Sequence, residues 1–175
     1  MMKQLFPIAF YIATLGYIIS LVLYGLTFND VDAQQLALYW PLTIGMMAIW
    51  LMAILKLKAS EELKALKKEG GFKLMAFLKT AFKGTPVWMS VIAGISFIFA
   101  IVNIHMLMSS SPGVPAIIDG EYVMQNHGSI LQKLTEQEYK HELAIKARMS
   151  MGHFLAFFGV GTAILWPDKN GEINL

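Results

Sequence analysis

This chain of 175 residues is 56% hydrophobic and only 15% charged, whereas about 25% of the residues in an ordinary soluble domain are charged. That composition excludes a disordered chain and argues against a soluble globular domain. Because there is no cysteine, disulfide frameworks, thiolate metal sites and cysteine nucleophiles are excluded as well. The composition is typical of an integral membrane protein.

Four long runs without a formal charge each predict a transmembrane helix. The first, Leu5–Phe28, would form a helix about 36 Å long, enough to cross a hydrocarbon core of about 30 Å. Its apolar stretch is longer than that of a cleaved signal peptide and no Ala-x-Ala-like site follows it, so we favour a retained helix. The other three runs are Leu36–Leu55, Val87–Met108 and Met149–Trp166.

The charges between these runs predict the orientation of the chain. The segment from Lys56 to Lys83 carries eight lysines and three glutamates, whereas Asn29–Gln35 carries two aspartates and no basic residue. Basic loops stay on the cytoplasmic side of a membrane. We therefore expect a cytoplasmic loop at 56–86, an extracytoplasmic segment at 109–148, and both termini in the cytoplasm.

The cytoplasmic loop has the pattern of an amphipathic helical hairpin. The glycine pair Gly70-Gly71 separates two helical stretches, 57–69 and 73–83. Lysines of the second stretch share one arc of a helical wheel and apolar residues share the other; these lysines are Lys73, Lys79 and Lys83. Such a helix lies in the membrane interface with its lysines toward anionic lipid headgroups. The alternative is a solvated charged face that packs only on its own bundle.

Turn residues in the extracytoplasmic segment predict a small β-structure. Asp119-Gly120 lies between two β-type stretches, and Asn126-His127-Gly128 marks a second turn before a third stretch, so we expect a small β-hairpin or a three-stranded meander. Ordered turns of this kind predict a shaped surface outside the membrane. The residues that we assign to this outer interaction surface are Tyr122, His127, Glu138, Tyr139 and Arg148.

A helix is expected to begin near Glu136, because Thr135 and Glu138 have the spacing of a capping box. Nothing breaks this helix before Gly152, so it can continue into the fourth span.

The outer segment and the start of the fourth span carry the pattern Gly120-x-Tyr122, His127-Gly128, Leu134-Thr135-x-x-Glu138-Tyr139, Arg148 and Gly152-His153. This pattern, over residues 115–158, resembles a signature of small bacterial four-span membrane proteins without an established activity. The resemblance implies a bacterial plasma-membrane protein.

Two histidines lie near the extracytoplasmic ends of their spans, His105 in the third and His153 in the fourth. Ionisable residues at membrane depth are costly and often functional. Paired histidines on neighbouring helices can hold a b-type haem, so haem b at His105 and His153 is one hypothesis. The alternative is that each imidazole is hydrogen-bonded at the level of the headgroups.

Methionines gather at the same boundary, and the four of interest are Met106, Met108, Met149 and Met151. Thioether and imidazole ligands suit Cu(I), which makes copper a second cofactor hypothesis. Methionine also fills gaps between apolar helices, and that reading needs no metal.

Other chemistry has little support in the sequence. The pair Glu138 and His141 has the Glu-x-x-His spacing of di-iron bundles, but those need two such motifs. The cytoplasmic loop has no arginine and no nucleic-acid module, so no nucleic acid partner is predicted.

Small-x-x-x-small pairs either pack the four helices together or bind a partner; they are Gly16 and Ser20, Ser90 and Gly94, Gly152 and Ala156, and Gly159 and Ala163.

The predicted fold is an all-α membrane protein with one integral membrane domain over 1–175. It is a four-transmembrane-helix bundle with a small extracytoplasmic β-hairpin and a cytoplasmic amphipathic helical hairpin. We expect a non-enzymatic accessory, structural or interaction subunit of a bacterial inner-membrane assembly, with a protein partner or as a homo-oligomer. The alternative is a haem b or copper redox membrane protein that uses His105 and His153.

Overall fold

A computed structural model describes residues 2–68, 73–110 and 112–167. The predicted glycine pair at 70–71 and the tail from 168 lie outside these ranges. Within them the chain is mostly helical. The elements are α1 Met2–Leu26, α2 Tyr39–Ala59, α3 Glu61–Lys68, α4 Leu74–Ala81, α5 Val87–Ser110, β1 Val114–Ile118, β2 Glu121–Asn126, β3 Ser129–Lys133 and α6 Glu136–Ile164. Two 3₁₀ turns, Thr27–Asn29 and Ala33–Gln35, connect α1 to α2.

Three of the helices are long and apolar enough to cross a membrane, which confirms the first three predicted apolar runs. Their apolar segments are Leu5–Asn29, Tyr39–Ala59 and Val87–Met106, with mean hydropathies of 2.0, 1.7 and 2.2. At most 28% of each segment is buried inside the chain. Large apolar side chains therefore cover the outside of the bundle, which indicates association with a membrane.

Helix α6 occupies the centre of the bundle, where it packs against α1, α2 and α5. Its second half is the most buried part of the chain, including Met151, Phe154 and Phe158. Among the described residues, α6 does not reach the apolarity of the other three long helices, since Arg148 and His153 lower its hydropathy. The fourth span at 149–166 therefore stays a prediction.

Glycines bring the helix backbones of the bundle close together. A Cβ on Gly16 of α1 would lie 2.6 Å from the Phe158 ring, and one on Gly161 of α6 would lie 2.6 Å from Ile49. Gly159 of α6 faces Tyr17 and Ser96, while Gly152 faces Asn103. Three of the four predicted small-residue pairs thus have a glycine that packs inside the chain. In the fourth pair, Gly94 has no other part of the described chain within 4 Å of its Cβ position.

The three strands form an antiparallel sheet in the order β1-β2-β3, so the predicted hairpin is part of a three-stranded meander. Both turns have positive φ at two successive residues: Asp119 (52°) and Gly120 (80°), then His127 (48°) and Gly128 (84°). Positive φ at both central positions is the geometry of a type I′ turn, which matches the twist of a hairpin. The pairing of β2 with β3 shifts register after Met124.

Helices α3 and α4 lie at the end of the bundle opposite the sheet; we name the two ends the lysine end and the sheet end. Lys83 pairs with Glu62 and joins the two short helices. Phe82 packs on the core between α5 and α6, and Thr85 Oγ1 donates a hydrogen bond of 2.7 Å to the carbonyl of Ala163. These contacts fix α4 to the base of the bundle.

The second long helix extends beyond its predicted end at Leu55, and the predicted loop at 56–86 begins inside α2. The reason is Lys56, which is only 9% exposed. Its Nζ donates to the carbonyl oxygens of Ile164 (2.5 Å) and Trp166 (3.3 Å). Carbonyls at a helix C-terminus lack partners inside the helix and favour a cation, so Lys56 caps α6 instead of lying in a loop.

Candidate functional site at the sheet end

Arg148 of α6 is tied to the end of α1. Its Nε donates to Thr27 Oγ1 (3.1 Å) and its Nη2 donates to the carbonyl of Thr27 (3.0 Å). The guanidinium also lies 4.1 Å from the centre of the Phe28 ring, a cation–π contact. Thr27 is fully buried, so the arginine satisfies a carbonyl at a helix C-terminus. Arg148 thereby holds α1 and α6 together just below the sheet.

Asn103 of α5 completes this network. Its Nδ2 donates to the carbonyl of Arg148 (3.2 Å), and its Oδ1 accepts a bond of 3.4 Å from the Tyr24 hydroxyl. Asn103 is 7% exposed and packs against Gly152. The sequence reading missed it, although a single amide in a long apolar helix is a signal of interhelical hydrogen bonding.

A cleft of about 310 Å³ opens where the sheet, α6 and the α1–α2 connection meet. Tyr122 of β2 and Tyr139 of α6 form one wall, with their ring centres 4.8 Å apart. The other polar side chains are three carboxylates, one amide and one amine; the full lining is Asp30, Asp32, Gln35, Ile117, Tyr122, Glu136, Tyr139, Lys140 and Leu143. With carboxylates, a lysine and two tyrosine rings, the cleft can bind both positively and negatively charged groups.

A second cleft of about 300 Å³ lies beside the first and shares Asp30 with it. Asp30 has a left-handed backbone (φ 56°), and its Oδ1 lies 2.7 Å from His141 Nδ1. This contact ties the α1–α2 connection to α6. The lining is Asp30, Gln132, Leu134, Gln137, Glu138, His141 and Glu142.

Two glutamates of the clefts, Glu138 and Glu136, have a lowered pKa. Hydrogen bonds from the backbone N–H and then the hydroxyl of Thr135 keep the pKa of Glu138 below its ordinary value. A hydrogen bond and the charge of Lys140 lower the pKa of Glu136 in the same way. A general acid at neutral pH needs a raised pKa, so neither group has the properties of one.

The predicted outer interaction surface is divided by the structure into four places. Tyr122 and Tyr139 meet at the first cleft. Glu138 lines the second cleft and also closes the capping box at the start of α6, as predicted. Arg148 belongs to the network beneath the clefts, and His127 lies at the β2–β3 turn, away from both clefts.

The two predicted haem ligands occupy different settings. His105 lies on an exposed part of α5, and it is roughly 200° around the helix axis from Asn103, which faces α6. His153 is partly buried on α6, with its Nδ1 2.8 Å from the carbonyl of Met149. An imidazole that donates one N–H to a carbonyl presents its other nitrogen outward, as metal-ligating histidines do. The pairing of His105 with His153 stays a prediction.

The four predicted copper ligands do not lie together. Met108 and Met149 line one cleft of about 270 Å³ between α5, α6 and β1. Met106 is 64% exposed on α5, whereas Met151 is fully buried in the core. Across the described part of the chain, there is no group of three or more His, Asp or Glu side chains that could hold a metal ion.

The three predicted lipid-facing lysines, Lys73, Lys79 and Lys83, are all exposed at the lysine end. Beside them α4 exposes the apolar side chains of Leu74, Met75 and Leu78. Charged and apolar groups thus lie side by side on one short helix.

Comparison with protein-family models, with curated proteins and with solved structures gave no match.

Proposed function

We propose that this chain is a four-span membrane protein that acts as an accessory or interaction subunit of a bacterial inner-membrane assembly. The sheet end is the surface that binds its protein partner or a second copy. The observation that best supports this proposal is the contrast between a bundle interior packed with side chains and a sheet end with adjoining clefts.

The filled interior supports a structural role for the bundle. Some polar groups of the long helices bind each other or their own backbone: Tyr17 pairs with Ser96 across α1 and α5 at 3.0 Å, and Ser20 donates to Gly16. The Phe158 ring occupies the space beside Gly16. Transport folds instead place broken helices and buried charges near the midplane.

The position of α6 supports a fourth span. A helix enclosed by α1, α2 and α5 does not face lipid along most of its surface, so it needs less hydropathy than its neighbours. From Arg148 to Ile164 it rises about 24 Å, and this length is at the lower end of the range of about 17–25 residues for a transmembrane helix. We place the lysine end in the cytoplasm because basic residues flank spans on that side.

At the lysine end, we propose that α4 lies on the bilayer surface. Leu74, Met75 and Leu78 would enter the interface while Lys73, Lys79 and Lys83 contact anionic headgroups. A helix with this arrangement binds a membrane through buried apolar area and electrostatic attraction together.

A redox role is the second candidate, and the orientation of His153 toward the Met149 carbonyl is the observation that favours it. The visible spectrum of the purified protein decides the haem question. A Soret band that is lost in His105→Ala and His153→Ala would favour haem b over the interaction role.

The proposed interaction is tested by purifying the tagged chain from bacterial membranes in a mild detergent. We expect a stoichiometric protein partner or a homo-oligomer. The double variant Gln132→Lys and Gln137→Lys places new charge in the second cleft and should release the partner. Ala65→Lys, on exposed α3 at the other end, is the matched control and should retain it. A monomer without a stoichiometric partner would contradict the proposal.

A further inference from the structure

The sheet stands upright along α6, with one of its two turns at the level where α5 ends. Pro115 near the start of β1 shares a cleft with Ile145 and Met149, whereas Ile117 near its end shares one with Glu136 and Tyr139. Strand β1 therefore runs along α6 in the opposite direction, away from the helix ends of the bundle.

Antiparallel pairing then fixes where each turn lies. Val114 pairs with Gln125 and Ile118 pairs with Glu121. The β2–β3 turn consequently returns to the end of the sheet where β1 begins, only four residues after α5 ends at Ser110. The β1–β2 turn lies at the other end, about 16 Å away for a five-residue strand.

The lower end of the sheet, near α5, exposes a row of apolar side chains. Val114 (47% exposed) and Ile130 (53%) flank Gln125 across the three strands, and Leu131 (49%) follows at the register shift. A Cβ on Gly113 would lie 3.3 Å from Leu131 Cδ1. The row is thus continuous with the start of β1 and with the end of α5.

Charge is distributed to match. Between Tyr122 and Gln132 the sequence has no Asp, Glu, Lys or Arg, so the lower turn, Asn126-His127-Gly128-Ser129, contains no carboxylate, lysine or arginine. The upper turn carries Asp119 and the ion pair of Glu121 with Lys133. Next to the lower turn, the end of α5 exposes Met106 (64%) and Met108 (72%), which extend the apolar surface of a membrane-length helix.

We propose that the β2–β3 turn is a membrane anchor, with Val114, Ile130 and Leu131 resting in the bilayer interface beside the end of α5. Lipid, rather than protein, covers this apolar row. A turn without Asp, Glu, Lys or Arg, flanked by exposed apolar side chains and lying beside the end of a spanning helix, gains from entering the interface, whereas the charged upper turn stays in water. The anchor holds the sheet upright and leaves both clefts of the sheet end open. The inference rests on the proposed placement of α5 across the membrane.

Because the natural chain has no cysteine, single labels can be placed without further changes. Ile130→Cys and Leu131→Cys carry a spin label at the lower turn, and Asp119→Cys carries one at the upper turn. Phe97→Cys reports on the exposed middle of α5. Each protein is reconstituted into lipid nanodiscs, and collision rates with oxygen and with a water-soluble nickel chelate are compared. We expect a severalfold lower nickel collision rate at 130 and 131 than at 119.

The controls separate the two proposals. If Phe97→Cys is shielded from nickel while positions 130 and 131 are as accessible as 119, the anchor is wrong and the spanning helix stands. If Phe97→Cys is itself accessible to nickel, the proposed placement of α5 across the membrane is wrong, and the anchor that depends on it is wrong as well. Spin–spin broadening at 131 that disappears on dilution with unlabelled chain would show that a second copy covers the row, which also overturns the proposal.

Discussion

Single residues in this bundle matter mainly through what they allow neighbouring helices to do. Gly16 leaves space for the Phe158 ring, which is only 1% exposed. On the same helix, Gly25 has no other part of the described chain within 4 Å of its Cβ position. The sequence therefore does not tell the two glycines apart; they differ in what faces each of them in the folded chain.

Gly16→Ala should therefore destabilise the protein, while Gly25→Ala should not. The added methyl group would lie 2.6 Å from the Phe158 ring, and overpacking of this kind costs about 1 to 3 kcal/mol. Removing an unneeded glycine from a helix is neutral or stabilises it by about 0.5 to 1 kcal/mol. Thermal unfolding in detergent, followed by circular dichroism, measures both. Equal melting temperatures for the two variants would contradict this packing.

Among the elements, the start of α6 was predicted correctly because its signal is local. The capping box depends on Thr135 and Glu138, which lie three residues apart, and the structure forms both of its hydrogen bonds. The turns at Asp119 and His127 are local in the same sense. The Lys56 cap was missed because its partners, Ile164 and Trp166, are more than a hundred residues away in the sequence.

The capping box predicts a pH dependence at the start of α6. A carboxylate with a pKa lowered by folding stabilises the folded state above its unfolded pKa, and this contribution disappears as pH falls through the folded value. The first turn of α6 should therefore open as pH falls below the ordinary glutamate value of 4.5. Amide hydrogen exchange at 137–141, corrected for intrinsic rates, measures the opening.

Two variants separate the contributions to this opening. Glu138→Gln cannot ionise and should lose the part of the pH dependence that comes from the cap. The pKa of Glu136 is also lowered, by its hydrogen bond to Lys140 and by the charge of Lys140, so Glu136→Gln is the matched control and should keep the cap's part. If Glu138→Gln opens with the same pH profile as the natural chain, the cap is not the source.

For the whole molecule, the uncharged runs predicted four transmembrane helices, and three of them are confirmed as helices long and apolar enough to cross a membrane. The sequence did not reveal that the fourth run belongs to the central helix of the bundle. Helix α6 can carry Arg148 because Thr27, Phe28 and Asn103 contact it, and all three are distant from it in the sequence. The outer surface was only partly predictable for the same reason. Tyr122 and Tyr139 meet because the sheet folds back on α6, whereas Asn103 acquires its role only from Arg148 and Tyr24.

The proposed orientation predicts opposite labelling for the two ends of the molecule. Single cysteines at Asn29 and Gly120 should react with an impermeant maleimide in intact cells from which the outer membrane has been removed. A cysteine at Ala65 should react only after the membrane is opened. The reverse pattern would invert every assignment of side, and labelling of all three positions from outside would contradict the spans between them.

The central position of α6 also has a consequence for biosynthesis. In the sequence α6 follows the other three long helices, so a ribosome releases α1, α2 and α5 before the segment around which they pack. Until then the space beside Gly16 is not filled by the Phe158 ring. The Nζ of Lys56 likewise lacks its hydrogen bonds to the carbonyls of Ile164 and Trp166. The core is therefore completed only after α6 has been made. A nascent chain halted before α6 would present an uncapped lysine and open glycine faces, which are features that membrane quality control can recognise.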